Sequence, residues 1–251
     1  MNPIAFELFG LEVRWYGIFI AIGALLAVYV GEKLSEKNPS IPKETVSDYA
    51  LFALFIGILG ARLYYVAFEW DYYSQNVNEI LSIRNGGLAI HGGIIAGILV
   101  AYIFCKSKNL SFWELLDMIA PGVVLGQGIG RWGNFANGEA HGGPTNLPWA
   151  IEVQGEMVHP TFLYESIWDI AIFAFLYFYL SKRRAFPGQL ALLYVILYSL
   201  GRFFIEGLRT DSLYIGPLRT AQLISILGIL IGVLLYFNRM KKKNINKYKL
   251  V

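Results

Sequence analysis

The stretch from 128 to 142 places residue types that bind anions at the end of an apolar run. It contains Arg131, Asn134, Glu139 and His141, with glycines interspersed. A charged side chain is costly in a lipid-facing element, so such residues usually mark a functional site rather than a scaffold. Glycine lets a backbone or a ligand approach closely. The stretch therefore predicts a site that handles an anionic or strongly polar group at a membrane boundary.

A second polar group lies near the end of a later apolar run. Its members are Tyr198, Arg202, Glu206 and Arg209. Spacings of four, four and three residues put them on one stripe if the helix continues. Glu206 could simply neutralise one arginine, which would be a structural role. Two arginines for one glutamate instead favour a site with positive charge left over for an incoming anion.

His91 opens another apolar run, between the glycine pairs 86–87 and 92–93. Such a histidine can be a hydrogen-bonded structural residue, or it can contact substrate or act in catalysis. The three histidines are few and scattered, and no H-E-x-x-H motif is present. We therefore expect neither a metal site nor a cofactor.

The composition is that of a membrane protein. Hydrophobic residues make up 56% of the 251 residues and charged residues only 16%, outside the range of ordinary soluble domains. We predict an all-α polytopic protein with a single integral membrane domain over 1–251, an external loop region at 134–160 that can contain short strands, and a basic cytoplasmic tail at 239–251. Seven apolar runs, each near the roughly 20 residues that span a bilayer, lie at about 15–33, 49–68, 88–105, 112–132, 161–181, 188–207 and 219–238.

The basic residues predict the orientation of these spans. Of the 21 basic residues, 14 follow the first, third, fifth and seventh runs, so the positive-inside rule puts the N-terminus outside and the C-terminus in the cytoplasm. The lysine-rich tail is typical of a topology anchor that touches anionic membrane lipids, not of a nucleic-acid site.

The other basic residues are all arginine, whose planar fork suits phosphate or carboxylate. Each could snorkel or pair with an acid, but together they favour an anion site in the outer leaflet. They are Arg14, Arg62, Arg84, Arg131, Arg202, Arg209 and Arg219.

Small residues repeat along the fourth run. Gly122, Gly126 and Gly130 recur every four residues, a pattern that lets two membrane helices pack closely. We expect a packing role for these glycines.

Taken together, these motifs resemble the bacterial prolipoprotein diacylglyceryl transferase family over nearly the whole chain. The segment at 130–139 matches the family's signature. Phe162 stands where many members have glutamine, so that position is not expected to be essential. The other matching segments are Arg14–Gly17, Gly86–Gly93, His159–Glu165 and Arg202–Arg209.

The resemblance implies transfer of the diacylglyceryl group of phosphatidylglycerol to the lipobox cysteine of a prolipoprotein signal peptide, in the bacterial cytoplasmic membrane. A thioether forms and glycerol phosphate leaves. On this basis Arg131 and Arg202 bind the phosphate and stabilise its departure, and His91 is the candidate base for the thiol. The remaining roles fall to substrate-binding residues: Asn134 orients the headgroup, Arg209 assists and is held by Glu206, Tyr16 and Tyr198 contact lipid or substrate, and Glu139 and Gly142 shape the external loop over the site.

Two other classes of protein compete with this interpretation. A multi-pass transporter of an organic anion or lipid would favour polar residues at the midplane or an inverted repeat. No convincing repeat is evident, and the predicted charges gather at one face. A receptor-like or scaffolding membrane protein would not need arginines concentrated at one boundary.

Overall fold

The computed structural model describes residues 3–83 and 86–248, with the backbone only for 244–248. Arg84, one of the arginines predicted to serve the anion site, and Lys249 of the basic tail lie outside the described residues. The chain is mainly helical, as its apolar runs predict. The α-helices in chain order are α1 (Trp15–Ser35), α2 (Thr45–Phe68), α3 (Trp70–Tyr73), α4 (Ile90–Ser107), α5 (Phe112–Asn137), α6 (Thr161–Ala174), α7 (Gln189–Glu206) and α8 (Thr220–Tyr248).

Within the described residues, six helical segments are long and apolar enough to cross a membrane. The remaining predicted run, at about 112–132, forms α5, which has 26 residues and measures about 39 Å at the usual helical rise. It is long enough, but Glu114, Asp117 and Arg131 make it more polar than the others. The six segments are Trp15–Ser35, Thr45–Phe68, Ile90–Ser107, Thr161–Arg183, Gln189–Glu206 and Thr220–Lys243. The fourth of these continues from α6 through a π-helical turn, Phe175–Leu180, and a short 3₁₀ turn, Ser181–Arg183.

Three antiparallel hairpins connect or precede the helices. The region 134–160 was expected to contain short strands, and the structure has one at Ile151–Val153. The turn of that hairpin is Gln154-Gly155, with φ of 52° and 85°, the left-handed pair that suits a two-residue hairpin connection. The strands are β1 (Ile4–Leu8), β2 (Leu11–Arg14), β3 (Ile151–Val153), β4 (Glu156–Val158), β5 (Tyr214–Ile215) and β6 (Leu218–Arg219), paired in sequence order.

The chain forms two compact units. The first comprises Met1–Gly31 and Asp117–Val251, and the second comprises Glu32–Leu116. In the first unit, α1 packs on α5 through the predicted small-residue stripe. A side chain at Gly122 would overlap the backbone of Ala27, and one at Gly126 would lie 3.1 Å from the carbonyl oxygen of Gly23. The packing role expected for these glycines is therefore confirmed. The apolar core between α5, α6 with its π-helical turn, and α7 contains Val124, Ile172, Leu176, Leu180 and Leu190.

A buried carboxylate fixes the start of α7. Asp117 on α5 is fully buried. It accepts hydrogen bonds from the backbone N–H groups of Gly188 at 2.7 Å and Ala191 at 3.0 Å, and Arg184 lies 3.0 Å away. A carboxylate at a helix N-terminus satisfies free N–H groups and favours the helix dipole. Asp117 thus anchors to α5 the helix that carries Tyr198 and Arg202.

In the second unit, α2 packs closely against α4. A side chain at Gly60 would meet the backbone of Gly92, and one at Gly92 would overlap Gly60 in turn. In the same unit, Asn38 after α1 donates to the carboxylate of Glu114, in the first turn of α5, at 2.7 Å in a buried contact. These contacts bring the beginning of α4, where His91 lies, against the second half of α2.

Candidate active site

Glu165 joins three arginines that are far apart in the sequence. This carboxylate on α6 is 4% exposed, and its Oε2 lies 2.5 Å from Arg131 Nη2. Its Oε1 lies 2.5 Å from Arg202 Nη1 and 3.6 Å from Arg209 Nη1. A buried carboxylate is tolerated when it is paired and hydrogen-bonded. We call Arg131, Glu165, Arg202 and Arg209 the arginine cluster.

Sequence reasoning did not select Glu165 as a site residue. Its signal was present, because it is a carboxylate in the first turns of an apolar helix, within a segment that carries the family resemblance. Its three partners lie 34, 37 and 44 residues away in the chain, so no local spacing could assign them.

Further carboxylates balance the cluster, which corrects the expectation of leftover positive charge. Arg202 Nη2 lies 2.6 Å from Glu206, as expected for neighbours on one helix face. Arg209 forms a two-pronged pair with Asp211, at 2.9 Å and 2.7 Å. Counting Glu165, three carboxylates face three guanidinium groups. Burying an unpaired guanidinium would be costly, and an incoming anion must therefore compete with carboxylates that already occupy the forks.

The stripe of 198–209 is only partly helical. α7 ends at Glu206, so Arg209 lies in the turn that follows and not on the helix. It still reaches Glu165, as given above. Asp211 lies outside the membrane-spanning segments. The hydrogen bond from Arg209 lowers the pKa of its carboxyl group, so Asp211 stays charged beside Arg209.

Tyr198 and Asp169 lie beside the arginine cluster. Arg131 Nη2 donates to the Tyr198 hydroxyl at 3.3 Å, which places this tyrosine against the cluster. One turn beyond Glu165 on α6, Asp169 is 2% exposed, and its Oδ2 accepts no hydrogen bond from the described residues. The buried polar residues at the candidate site thus continue along α6 from Glu165 to Asp169.

Asn134 and Glu139 form a second small group at the end of α5. Asn134 donates to the Glu139 carboxylate at 3.0 Å, and Asn137 donates to the same oxygen at 3.2 Å. Gly138 has φ of 68°, a left-handed conformation common after a helix C-terminus. It reverses the chain so that the Glu139 side chain folds back onto α5.

Gly142 lies where no side chain fits. Its N–H donates to the carbonyl of His159 at 2.8 Å, and it forms a β-bridge with Arg209. A Cβ at this position would lie 2.6 Å from His159 Cβ and 2.9 Å from the Leu208 carbonyl oxygen. Gly142 therefore ties the connection at 134–160 to the segment that carries Arg209.

Tyr16 lies against the end of α5 that bears the cluster. A Cβ at Gly133 would lie 2.6 Å from its ring, so the glycine allows the tyrosine to approach α5. Tyr16 is 38% exposed, which leaves part of the ring accessible.

Three of the other predicted arginines, Arg14, Arg62 and Arg219, have separate structural partners, which corrects their assignment to one anion site, while Arg84 lies outside the described residues. Arg14 is exposed and lies 3.2 Å from Glu12. Arg219 donates to the backbone carbonyl of Glu206. Arg62 donates to four backbone carbonyls of the second unit. A guanidinium whose donors are bonded to backbone carbonyls has little capacity left for an anion.

His91 belongs to the second compact unit and is exposed. Its ring centroid lies 6.2 Å from that of Tyr64 on α2. Among the described residues, no group of three or more His, Cys, Asp or Glu side chains could hold a metal ion.

Comparison with known proteins places these residues in a family context. A family model described as prolipoprotein diacylglyceryl transferase matches residues 3–238. A phosphatidylglycerol–prolipoprotein diacylglyceryl transferase of Finegoldia magna is 53% identical over 242 residues, covering 96% of this chain and 97% of the relative. A protein of the same name from Clostridioides difficile is 51% identical over 249 residues, covering 98% and 100%. Another from Clostridium botulinum strain Langeland is 49% identical over 256 residues, covering 97% and 99%.

Proposed function

The chain belongs to the prolipoprotein diacylglyceryl transferase family, and on that premise we propose that it transfers the diacylglyceryl group of phosphatidylglycerol to a prolipoprotein. The acceptor is the thiol of the lipobox cysteine in the signal peptide. Glycerol phosphate leaves, and this transfer is the first step of bacterial lipoprotein maturation. The family resemblance inferred from the sequence motifs is confirmed by these matches.

The observation that carries the proposal is the shared carboxylate of the arginine cluster. Glu165 holds Arg131 and Arg202 with one oxygen each, at 2.5 Å in both cases. Guanidinium groups form the same kind of bidentate contact with carboxylate and with phosphate. Two guanidinium groups that meet at one carboxylate can therefore also bind a phosphate. The phosphate of phosphatidylglycerol competes with Glu165 for these forks.

The same forks assist the chemical step. The thiol sulfur forms a bond to the glyceryl carbon, and the bond from that carbon to the phosphate oxygen breaks. The phosphate then changes from a singly charged diester to a monoester that bears a second negative charge. Donors fixed before the reaction stabilise developing charge without reorganising. Arg131 and Arg202 supply that stabilisation, and Arg209 adds to it from the turn after α7.

The thiol must lose its proton to become the nucleophile. We assign this proton to His91, because imidazole accepts a proton near neutral pH. The assignment rests on the sequence motif at Gly86–Gly93 and on the exposure of His91 in its own unit. Replacement of His91 by Gln tests it directly.

The remaining residues bind or enclose the substrates. Asn134 orients the headgroup and Glu139 positions Asn134, since the two side chains are hydrogen-bonded at 3.0 Å. Two residues of α7 hold the arginines in place: Tyr198 contacts Arg131, and Glu206 pairs with Arg202. Gly142 keeps the external loop against Arg209. Tyr16 offers a half-exposed ring to the lipid or the peptide.

The chain is a multi-pass membrane protein, with six suitable helical segments among the described residues. We assign it to the bacterial cytoplasmic membrane, with α5 as a seventh span, the N-terminus outside and the C-terminus in the cytoplasm. The distribution of lysine and arginine between connections supports this orientation. The tail at 239–251 then meets anionic lipid headgroups of the inner leaflet.

The test is reconstitution of the purified protein with phosphatidylglycerol and a lipobox peptide. We expect glycerol phosphate release in step with a mass gain of one diacylglyceryl group on the peptide cysteine. A peptide with serine in place of that cysteine is the control and gains no mass. Absence of both products from folded protein would overturn the proposal. Movement of an organic anion or lipid across the vesicle membrane in the same samples would favour a transporter instead.

A further inference from the structure

Arg62 on α2 binds the chain rather than an anion. The residue is 2% exposed. Its guanidinium donates to the backbone carbonyls of Glu79 at 2.6 Å and Ile80 at 2.7 Å. It also donates to those of Gly86 at 2.8 Å and Gly87 at 3.1 Å. Because its hydrogen bonds go to backbone carbonyls, the role of this buried cation depends on the segment that it binds.

The four acceptors come from both ends of one connection. Glu79 ends a 3₁₀ turn, Val77–Glu79, and Ile80 follows it directly, whereas Gly86 and Gly87 lie shortly before α4. One guanidinium therefore fastens the segment at two points, an arrangement that we call the Arg62 clasp. Only a planar group with donors on several edges can do this, because the lysine ammonium is a point donor on a flexible stem.

Gly87 is adapted to the clasp. Its φ is 71°, and a Cβ there would overlap Arg62 Nη1 and lie 2.7 Å from the Tyr65 ring. The left-handed conformation and the absence of a side chain let the backbone approach the guanidinium closely. Any other residue at 87 would displace the carbonyl that Arg62 holds.

The clasp lies directly before His91. Two residues after Gly87, the Ala89 N–H donates to the carbonyl of Ala61 at 3.1 Å. Gly92, on the other side of His91, rests on Gly60 of α2. One stretch of α2 thus fixes the backbone on both sides of the histidine. Since the imidazole is exposed apart from its ring contact with Tyr64, the position of the ring depends largely on the backbone that carries it.

We propose that Arg62 is a positioning residue for His91: through the clasp it fixes the connection that leads into α4 and so places the imidazole for its proton transfer. The inference rests on the role of His91 in the proposed function. A misplacement of about 1 Å in a reacting group can cost on the order of 100-fold in rate. Because the clasp acts on the segment that carries His91 and not on the groups assigned to the phosphate, its loss should affect turnover more than lipid binding.

Two variants break the clasp from opposite sides. Arg62→Lys keeps the charge but loses the fork, and Gly87→Ala keeps the fork but displaces a carbonyl. With phosphatidylglycerol and a lipobox peptide, we expect both to lower kcat about 10-fold or more with little change in KM for the lipid. Hydrogen exchange at 79–90 should increase in both. Asn38→Ala, which removes another buried hydrogen bond of the same unit, should lower thermal stability without lowering kcat of the folded protein.

A double-mutant cycle with His91→Gln separates positioning from folding. We expect His91→Gln to lower kcat about 100-fold, and Arg62→Lys to cost almost nothing further in that background. If the double variant loses kcat by the product of the two single losses, or if Arg62→Lys keeps full kcat, the positioning role is overturned. The proposed transferase activity would still stand. If His91→Gln itself retains full kcat, the base assignment and this inference both fail. If the wild-type protein makes no product, the proposed function fails instead.

Discussion

Glu165 Oε2 lies 2.5 Å from Arg131 Nη2, a contact between α6 and α5 in which the carboxylate is 4% exposed. The other oxygen of the same carboxylate faces Arg202. Glu165 thus joins α5 and α7 at the candidate site, in addition to the direct contact of Arg131 with Tyr198. The relationship explains how two arginines can be buried together, and it predicts what happens when the carboxylate is altered.

Replacement of Glu165 by Gln should affect both stability and turnover. Removing one partner of a buried ion pair leaves uncompensated charge, and we expect a loss of about 3 kcal/mol in the free energy of unfolding. The forks also lose their common anchor, so kcat should fall by about 10-fold or more. Because positive charge increases, KM for phosphatidylglycerol should not rise. Thermal unfolding in detergent and steady-state transfer rates measure these effects.

Glu12→Gln is the matched control for that experiment. Glu12 pairs with Arg14 at the surface, where both side chains are about half exposed, and exposed pairs contribute little to stability. We expect no change in melting temperature or rate for this variant. Equal behaviour of the two glutamine variants would contradict the structural importance of Glu165.

The pair of Arg209 and Asp211 should give a pH-dependent contribution to stability. The Arg209 hydrogen bond lowers the pKa of Asp211 from its ordinary 3.8, so the folded state favours the ionised carboxyl. The contribution is complete above that ordinary value and is lost as pH falls through the lower folded pKa. The melting temperature of wild type should therefore exceed that of Asp211→Asn at pH 6. The difference should shrink below pH 4. A difference that grew on acidification would contradict this assignment.

Gly142→Ala should disturb the external loop. The added Cβ would lie 2.6 Å from His159 Cβ and 2.9 Å from the Leu208 carbonyl oxygen, and overpacking of this kind costs about 1–3 kcal/mol. We expect a lower melting temperature together with reduced transfer, because Arg209 follows Leu208 directly.

The neighbouring Gly143→Ala provides the control for the loop. A Cβ there meets only Thr210 Cγ2 at 3.8 Å, which is ordinary contact. This variant should melt and react like wild type. Equal damage from both substitutions would mean that the loop is sensitive to any side chain and that the crowding at Gly142 has no special role.

The orientation and the seventh span predict which sites can be labelled from outside the cell. Single cysteines at Glu152 and Lys108 lie on opposite sides of the membrane if α5 crosses it. A membrane-impermeant maleimide should label Glu152→Cys in intact cells and Lys108→Cys only after lysis. Cys105 is 2% exposed and should remain unlabelled. Labelling of both positions from outside would contradict a membrane-spanning α5.

Much of the fold could be predicted from the sequence because membrane spans depend on local composition. Apolar runs of the right length predicted the helices, and the glycine stripe predicted that α5 packs closely against another helix, which the structure shows to be α1. The polarity of α5 reflects its burial among partners that lie elsewhere in the chain. Asp117, which binds the start of α7, could not be assigned for the same reason.

The candidate site was only partly predictable. Arg131, Tyr198 and Arg202 were identified because buried arginine is rare and their spacing is helical. Glu165 and Asp211 were missed as partners, so the charge balance was wrong. Arg62 was grouped with the anion-binding arginines on residue type alone. Its four carbonyl acceptors depend on how a connecting segment folds back, which spacing along the chain does not reveal.

The most direct test of the account is the single-turnover rate of transfer by Arg131→Lys, measured by glycerol phosphate release and by the mass of the lipobox peptide. Lysine keeps the charge but cannot present a fork to the phosphate, and loss of one such donor typically costs about 100- to 1,000-fold in rate. Arg184→Lys, at the structural pair with Asp117, should retain the wild-type rate in folded protein. We expect Arg131→Lys to transfer the diacylglyceryl group about 100-fold or more slowly than wild type, with both products still formed in equal amounts. Transfer by Arg131→Lys at the wild-type rate would contradict the role of this arginine in holding the phosphate.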